Sequence, residues 1–243
     1  MLHIYMIGEG KTMSSLLVVP MMWIPGLVAI ACSHYFGNKF RDLGLVRPRK
    51  ISMIFAYCIP ALCVTLMLAV LVWADIGQLK WPTYGILKVL FFHPTFSVLV
   101  TAVLAFGEEL GWRGYLHTHL MRARIPEPML VTGLIWSAWH WPLILFANYA
   151  TSSVPWLSVL LFTVCMTSFS VILGWLREYS KSVIPCVLAH AVHKTWVQII
   201  SPEFYIAGQL NPFFGGESGF VLTIIYLFIA IYLYRRHIAA SNY

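Results

Sequence analysis

The sequence predicts an all-α fold, a polytopic bundle of transmembrane helices. Of its 243 residues, 60% are hydrophobic and 10% are charged, and the mean hydropathy is +0.78. Soluble domains contain about 25% charged residues, so this chain has too few to cover a surface that faces water. The same composition excludes a disordered chain, a collagen-like rod and a disulfide-stabilised miniprotein. We therefore expect an integral, multi-pass membrane protein that contacts the lipid bilayer.

Seven apolar stretches are long enough to cross the bilayer, which takes roughly 20 residues in a helix. They lie at about 14–36, 51–74, 86–110, 128–148, 155–176, 183–202 and 218–234. The region 128–176 has no charged residue but is too long for one helix, and its polar part at 148–155 predicts a dividing turn. We expect about seven spans, within bounds of six to eight.

The chain has no internal repeat and no interdomain linker, so one structural bundle is expected. Its first part, 1–85, carries two spans without a motif. The second part, 86–202, carries every motif described below. The third part, 203–243, is expected to comprise one external loop at 203–217, the last span and a cytoplasmic tail.

Positive charges concentrate in alternate connections between the spans. Twelve of the 16 Lys and Arg lie in 37–50, 111–127, 177–182 and the tail after residue 234. Cytoplasmic loops of membrane proteins are enriched in Lys and Arg, so the C-terminus is predicted to be cytoplasmic and the N-terminus external. This asymmetry accounts for the net charge of +7. The chain has no basic run longer than Arg235-Arg236, so no nucleic-acid partner is expected.

Two adjacent glutamates lie beside a long apolar run. Inserting a charged residue at the centre of a membrane helix costs about 2.5–3.5 kcal/mol, and such a residue usually faces a cavity. The two glutamates are Glu108 and Glu109, whereas Glu217 and the other acidic residues fall in loops or at helix ends. Glu109 and Arg113 are four residues apart and share a helix face, so they are expected to pair. Glu108 then points elsewhere and stays free to act as a base. The structural alternative is that both glutamates anchor the helix at the membrane interface.

One histidine lies inside the fourth predicted span. His140 follows Trp136 by one helical turn and precedes Pro142 by two residues. Proline interrupts the helical hydrogen-bond ladder, which could open a cavity beside the imidazole ring. By contrast, His117 and His119 are expected to be solvated.

The sixth predicted span has a polar face that contains His190, His193 and Lys194. A lysine inside a span needs a cavity, a partner or a route to the interface for its ammonium group. A polar seam between helices is the structural alternative. From their depths, Glu108, His140 and His190 are expected to converge in the cytoplasmic half of the bundle.

A carboxylate and two imidazoles in a dry pocket predict hydrolytic chemistry of one of two kinds. Glu108 and His140 could hold and deprotonate a water molecule. Alternatively, Glu108, His140 and His190 could ligate a divalent metal ion that activates the water, with zinc as the first candidate. The residue pattern leaves both routes open.

Three motifs resemble those of the CAAX-protease and bacteriocin-processing (CPBP, or Abi) family of intramembrane endopeptidases. Glu108-Glu109-x-x-x-Arg113 matches the first family motif. Trp136-x-x-x-His140 resembles the second, with Trp in place of Phe. His190-x-x-x-Lys194 resembles the third, with Lys in place of Asn. The motifs occur in family order on separate predicted spans, within about 90–200.

The resemblance implies a hydrolase that cuts a peptide bond of a membrane-associated peptide or protein, such as a prenylated CAAX tail or a bacteriocin precursor. It implies Glu108 and His140 as activators of water, and His190 with Lys194 around the oxyanion. Glu109 and Arg113 would organise the site.

Two other functions compete with proteolysis. Lys194 could mark a degenerate site, and the chain would then be a non-catalytic scaffold or an immunity protein. A small transporter could use Glu108, His140 and Lys194 as an ion path, although the chain lacks the inverted halves typical of transporters. Other membrane proteases are disfavoured, because the sequence has no HExxH motif and no aspartate within a predicted span.

Overall fold

The computed structural model describes residues 15–37, 39–82, 85–147, 149–150 and 154–241, and the fold is an all-α bundle as predicted. The α-helices of the described residues are, in chain order, α1 (Ser15–Tyr35), α2 (Lys50–Trp73), α3 (Val98–Glu109), α4 (His117–Arg122), α5 (Pro128–Phe146), α6 (Pro155–Ser180), α7 (Ile184–Thr195), α8 (Ser201–Phe204), α9 (Asn211–Phe214) and α10 (Phe220–Ser241). Shorter helical turns extend several of them. These are π-helical at Lys88–Ser97, Leu110–Leu116 and Trp196–Ile200, and a 3₁₀-helix at Phe40–Leu43.

Five helices in the described ranges are long and apolar enough to cross a membrane. They are Lys50–Trp73, Val89–Arg122, Pro128–Phe146, Pro155–Ser180 and Phe220–Ala239. The first and sixth predicted spans are also helical. Helix α1 covers the first over 21 residues, and α7 with the π-helical turn Trp196–Ile200 covers most of the sixth.

Polar and apolar residues are distributed as in a protein surrounded by lipid. Large apolar side chains such as Leu62, Val103 and Phe228 are exposed on the outside of the bundle. Meanwhile, Glu109 and Arg113 are completely buried. Because charged groups are costly in hydrocarbon, they gather in the interior of the bundle, where they find partners.

The centre of the bundle is α6, which packs along α5 and α10. The core between these helices and α2 includes Phe162, Phe169, Leu173 and Tyr226, all fully buried. On the other side, α3 packs along α7 and α1. Helices α3, α5 and α7, which carry the three motifs, therefore surround one interior region.

Glycines allow α1 to approach the helix that carries the first motif. A Cβ atom added to Gly107 would lie 2.6 Å from the Met22 carbonyl oxygen, and one added to Gly111 would lie 2.5 Å from Pro25 Cβ. These glycines are four residues apart and lie on one helix face, a spacing that lets membrane helices approach closely. They flank Glu108 and Glu109, so the contact with α1 fixes the helix on which the two glutamates lie.

The cation-rich connections gather at one end of the bundle, as their alternation along the chain requires. The Val183 amide donates to the Gly44 carbonyl over 2.9 Å, and Arg122 forms a 2.7 Å ion pair with Asp42. The Arg177 Nε donates to the Arg113 carbonyl over 3.2 Å.

The region 203–217 is more ordered than the single loop expected from its polar sequence. It contains α9 and the strand β2 (Tyr205–Ala207), which pairs antiparallel with β1 (Gly77–Leu79). The two strands join the connections that follow α2 and α7. The prediction of a plain loop was wrong because backbone pairing with a distant segment is invisible in local composition.

Candidate active site

The first motif contains a buried ion pair. Arg113 Nη1 donates to Glu109 Oε1 over 2.8 Å, and both side chains are completely buried. This confirms the pairing expected from their spacing. His190 Nδ1 donates to the same carboxylate oxygen over 2.8 Å. Glu109 thereby joins α3 to α7 and fixes the orientation of the His190 ring.

Glu108 is buried and points away from Arg113, as predicted, but it is not free of hydrogen bonds. Trp136 Nε1 donates to Glu108 Oε2 over 2.8 Å. The face of the same indole lies under the Arg113 guanidinium, whose carbon is 4.3 Å from the ring centroid. Trp136 therefore contacts two of the three charged residues of the first motif, Glu108 and Arg113. In the sequence it had stood out only as an aromatic exchange.

The hydrogen bond of His140 determines which ring nitrogen carries the proton. His140 Nδ1 lies 2.9 Å from the Trp136 carbonyl oxygen. A carbonyl can only accept, so Nδ1 donates, and in the neutral ring Nε2 keeps its lone pair. The helix does not break at Pro142, because α5 continues to Phe146. A crevice nevertheless lies beside the His140 ring.

The three motifs converge around Trp136. Its ring centroid lies 5.9 Å from that of His140 and 5.3 Å from that of His190. Glu108 is close enough to His140, His190 and Lys194 to interact with them electrostatically. The tertiary fold thus brings together all six residues singled out in the sequence.

A second buried cluster adjoins the first, and most of it was not anticipated. At its centre is Glu217, which lies between α9 and α10. His193 Nε2 donates to Glu217 Oε1 over 2.9 Å, and Tyr149 Oη donates to Glu217 Oε2 over 3.0 Å. The Tyr226 hydroxyl lies 2.8 Å from His193 Nδ1 and donates to it. This cluster, the Glu217 cluster, comprises Tyr149, His193, Lys194, Glu217 and Tyr226.

The Glu217 cluster supplies Lys194 with a counter-ion. The Lys194 ammonium donates to Tyr149 Oη and lies 3.7 Å from Glu217 Oε1. Burial opposes ionisation of Glu217, but the Lys194 charge and the His193 hydrogen bond hold the pKa of this carboxyl well below its usual range. The sequence analysis assigned Glu217 to a loop. The requirement of an intramembrane lysine for a partner is the sequence signal that could have led to it.

Both clusters line one narrow crevice. Its walls are formed by Trp136, His140, Tyr149, Phe162, Met166, His190, His193, Lys194 and Glu217. As the side chains lie, the space between them is too narrow for a water molecule. Tyr149 and Glu217 reach it from connections at the predicted external end. These connections cover the crevice through Tyr149 and Glu217. The convergence of Glu108, His140 and His190 in the cytoplasmic half stays a prediction, because it depends on how the bundle is oriented in the membrane.

His117 also differs from its expected position. It is buried, and its Nε2 lies 3.0 Å from Glu178 Oε1, whereas a solvated side chain was predicted. Packing of α4 against the neighbouring helices removes the ring from solvent. His117 has no part in the crevice.

The residues predicted as possible metal ligands are engaged in other hydrogen bonds in this arrangement, and metal binding by them stays a prediction. Among the residues that the structure describes, no three His, Cys, Asp or Glu side chains are grouped so that they could hold a metal ion. One oxygen of Glu108 accepts from Trp136, and His140 and His190 both use Nδ1 for bonds within the protein. Only their second atoms could bind a metal, after movement of the side chains.

The segment that carries the candidate site is similar to known proteins. Residues 89–196 match the family of type II CAAX prenyl endopeptidase Rce1-like proteins. The chain is also 26% identical over 160 residues to CAAX prenyl protease 2 of Methanococcus maripaludis, a region that covers 64% of this chain. The chain spans 58% of the length of that relative. The matched segment contains all three motifs, so the resemblance to the CPBP family is confirmed for the part of the chain that carries the candidate active site.

Proposed function

We propose that this protein is an intramembrane endopeptidase that hydrolyses a peptide bond of a membrane-associated peptide or protein. The observation that carries the proposal is the arrangement of Glu108, Trp136 and His140 in the Rce1-like segment. A prenylated CAAX-type tail is the first substrate class to test, because the relative from M. maripaludis is a CAAX prenyl protease. A bacteriocin-like precursor is the second.

In the proposed reaction, Glu108 and His140 activate the attacking water. Trp136 Nε1 donates a hydrogen bond to Glu108 Oε2, so Glu108 Oε1 remains to accept a proton from the water. His140 presents the lone pair of Nε2, because its Nδ1–H is held by the Trp136 carbonyl. Since the crevice is too narrow for water as it stands, substrate entry must separate the side chains that line it. A water admitted with the substrate would then lie in a largely dry, preorganised site.

His190 and Lys194 would stabilise the oxyanion that develops as the carbonyl is attacked. A His190 ring protonated on both nitrogens keeps its bond to Glu109 and offers Nε2–H to the oxyanion. The Lys194 ammonium contributes a positive charge at the wall of the same crevice. Glu109 and Arg113 act through His190 and Trp136, so we assign them positioning roles.

The proposal is tested by comparing membranes that contain the wild type or Glu108→Ala, using mass spectrometry of newly formed peptide termini. Glu127→Ala, a change of an exposed glutamate outside the crevice, serves as the matched control at equal expression. Termini that depend on Glu108 but not on Glu127 would support proteolysis and identify the substrate. If the folded wild type produces none, the non-catalytic scaffold or immunity protein becomes the better interpretation.

A further inference from the structure

The charges around the crevice divide into two balanced pairs and one remaining carboxylate. Glu109 pairs with Arg113 at 2.8 Å, and Glu217 lies 3.7 Å from Lys194. Glu108 is therefore the one carboxylate among these five residues without a cationic partner in contact. This is the charge state that a general base requires, because a carboxylate in direct contact with an ammonium is a weaker proton acceptor.

Lys194 would be a competing partner for Glu108 if nothing else held it. Its ammonium lines the crevice and is within electrostatic range of Glu108 and His140. In a dry interior, a lysine and a carboxylate attract each other strongly, and an unpaired charge is costly. Without a closer acid, Lys194 would turn toward Glu108 and neutralise it. A neutral asparagine at this position, as in the related family motif, does not create this problem.

Glu217 and Tyr149 provide the closer partners. Tyr149 Oη accepts from Lys194 and donates to Glu217 Oε2, so it connects the two charged groups. Glu217 is itself fixed by His193 Nε2 at 2.9 Å, and His193 is fixed in turn by the Tyr226 hydroxyl. The chain of hydrogen bonds runs from α10 through α7 to the covering connections. It holds Lys194 at the wall of the crevice, beside Tyr149 and Glu217.

We propose that Glu217 is a positioning residue of the active site, which holds Lys194 as a cation beside the crevice and keeps it from pairing with Glu108. The inference rests on the proposed function for its catalytic part. Lys194 is then no sign of a degenerate site, because its charge is balanced by an acid that lies outside the matched segment 89–196.

The structural part is tested without any enzyme assay, by thermal unfolding of variants purified in detergent. Glu217→Gln and Lys194→Met should each lower the midpoint temperature, and the double variant should be more stable than the sum of the two losses predicts. In addition, Glu108→Gln should cost more stability in the Glu217→Gln background than in the wild type, because Lys194 then contacts Glu108. Additive losses in both comparisons would refute the pairing that we infer.

The catalytic part is tested by rescue. Glu217→Gln should reduce kcat at least tenfold, and Lys194→Asn in the same chain should restore it to within a few-fold of Lys194→Asn alone. A purely structural role for Glu217 predicts no such rescue. If the double variant stays as inactive as Glu217→Gln, Glu217 does not act through Lys194. Absence of Glu108-dependent proteolysis in the wild type would instead contradict the proposed function, while the unfolding experiment would still decide the pairing.

Discussion

Glu109 and His190 share a 2.8 Å hydrogen bond although they are 81 residues apart and lie on different helices. The same Glu109 oxygen accepts from Arg113. One carboxylate oxygen therefore connects the first motif to the third and fixes an imidazole at the wall of the crevice. This relationship gives Glu109 a structural importance that Glu108 lacks, although the two residues are adjacent in the chain.

Glu109→Gln should destabilise the bundle more than Glu108→Gln does. Loss of the Glu109 charge leaves Arg113 buried without a counter-ion, which costs about 3–5 kcal/mol. Glu108→Gln keeps an oxygen that can accept from Trp136, so a loss of about 1 kcal/mol is expected. Thermal unfolding of the two purified variants in the same detergent makes the comparison. Equal midpoint temperatures would contradict the assignment of the ion pair.

Trp136→Phe should reduce catalysis while leaving the fold intact. The phenyl ring preserves an aromatic face beneath Arg113, but it removes the Nε1–H that donates to Glu108. Hydrogen bonds to charged groups contribute about 1.5–3 kcal/mol, so a decrease in kcat of about tenfold or more is expected. The assay needs Trp139→Phe as its control, because that indole lies outside the crevice lining. An unchanged kcat would show that the bond does not contribute to catalysis.

Gly111→Val should separate α1 from the helix of the first motif. Its Cβ would lie 2.5 Å from Pro25 Cβ and 2.6 Å from the Pro25 carbonyl carbon, and neither helix backbone can yield. We expect a loss of about 1–3 kcal/mol or more, typical of overpacking. Val103→Leu, at a lipid-facing position that is 61% exposed, serves as the control in the same unfolding assay. A fully stable Gly111→Val variant would show that α1 does not pack here.

Activity should survive removal of divalent metals. No three potential ligands are grouped among the described side chains, and the proposed water activation uses only Glu108 and His140. The measurement is the rate of peptide-bond cleavage after treatment with a chelator and again after addition of zinc, together with metal analysis of the purified protein. Loss of activity on chelation and its recovery with zinc would favour the alternative in which Glu108, His140 and His190 ligate a metal.

The C-terminus should face the cytoplasm, because the cation-rich connections gather at the end of the bundle where α10 finishes. A green fluorescent protein fused after Tyr243 is expected to fluoresce, and alkaline phosphatase fused at the same position is expected to be inactive. The reciprocal result would invert the orientation. It would also place the connections that cover the crevice at the cytoplasmic face.

Local features of the sequence were sufficient to predict the helices and the side-chain contacts within a helix. Composition and the length of the apolar segments predict the all-α membrane fold, because a helix needs roughly 20 apolar residues to cross the bilayer. The Glu109–Arg113 pair was equally predictable, since four residues of helix always bring two side chains to one face. The three motifs, in their order, were sufficient to indicate the related family.

What the sequence by itself determined is therefore the helical architecture, the residues of the three motifs and the chemistry that they could perform. The tertiary structure decided which partners those residues have. The bond from Trp136 to Glu108 and the pairing of Lys194 with Glu217 depend on helix rotation and on the path of the covering connections. Those properties arise from packing over many residues, whereas the hydrophobic pattern reports only which segments enter the membrane.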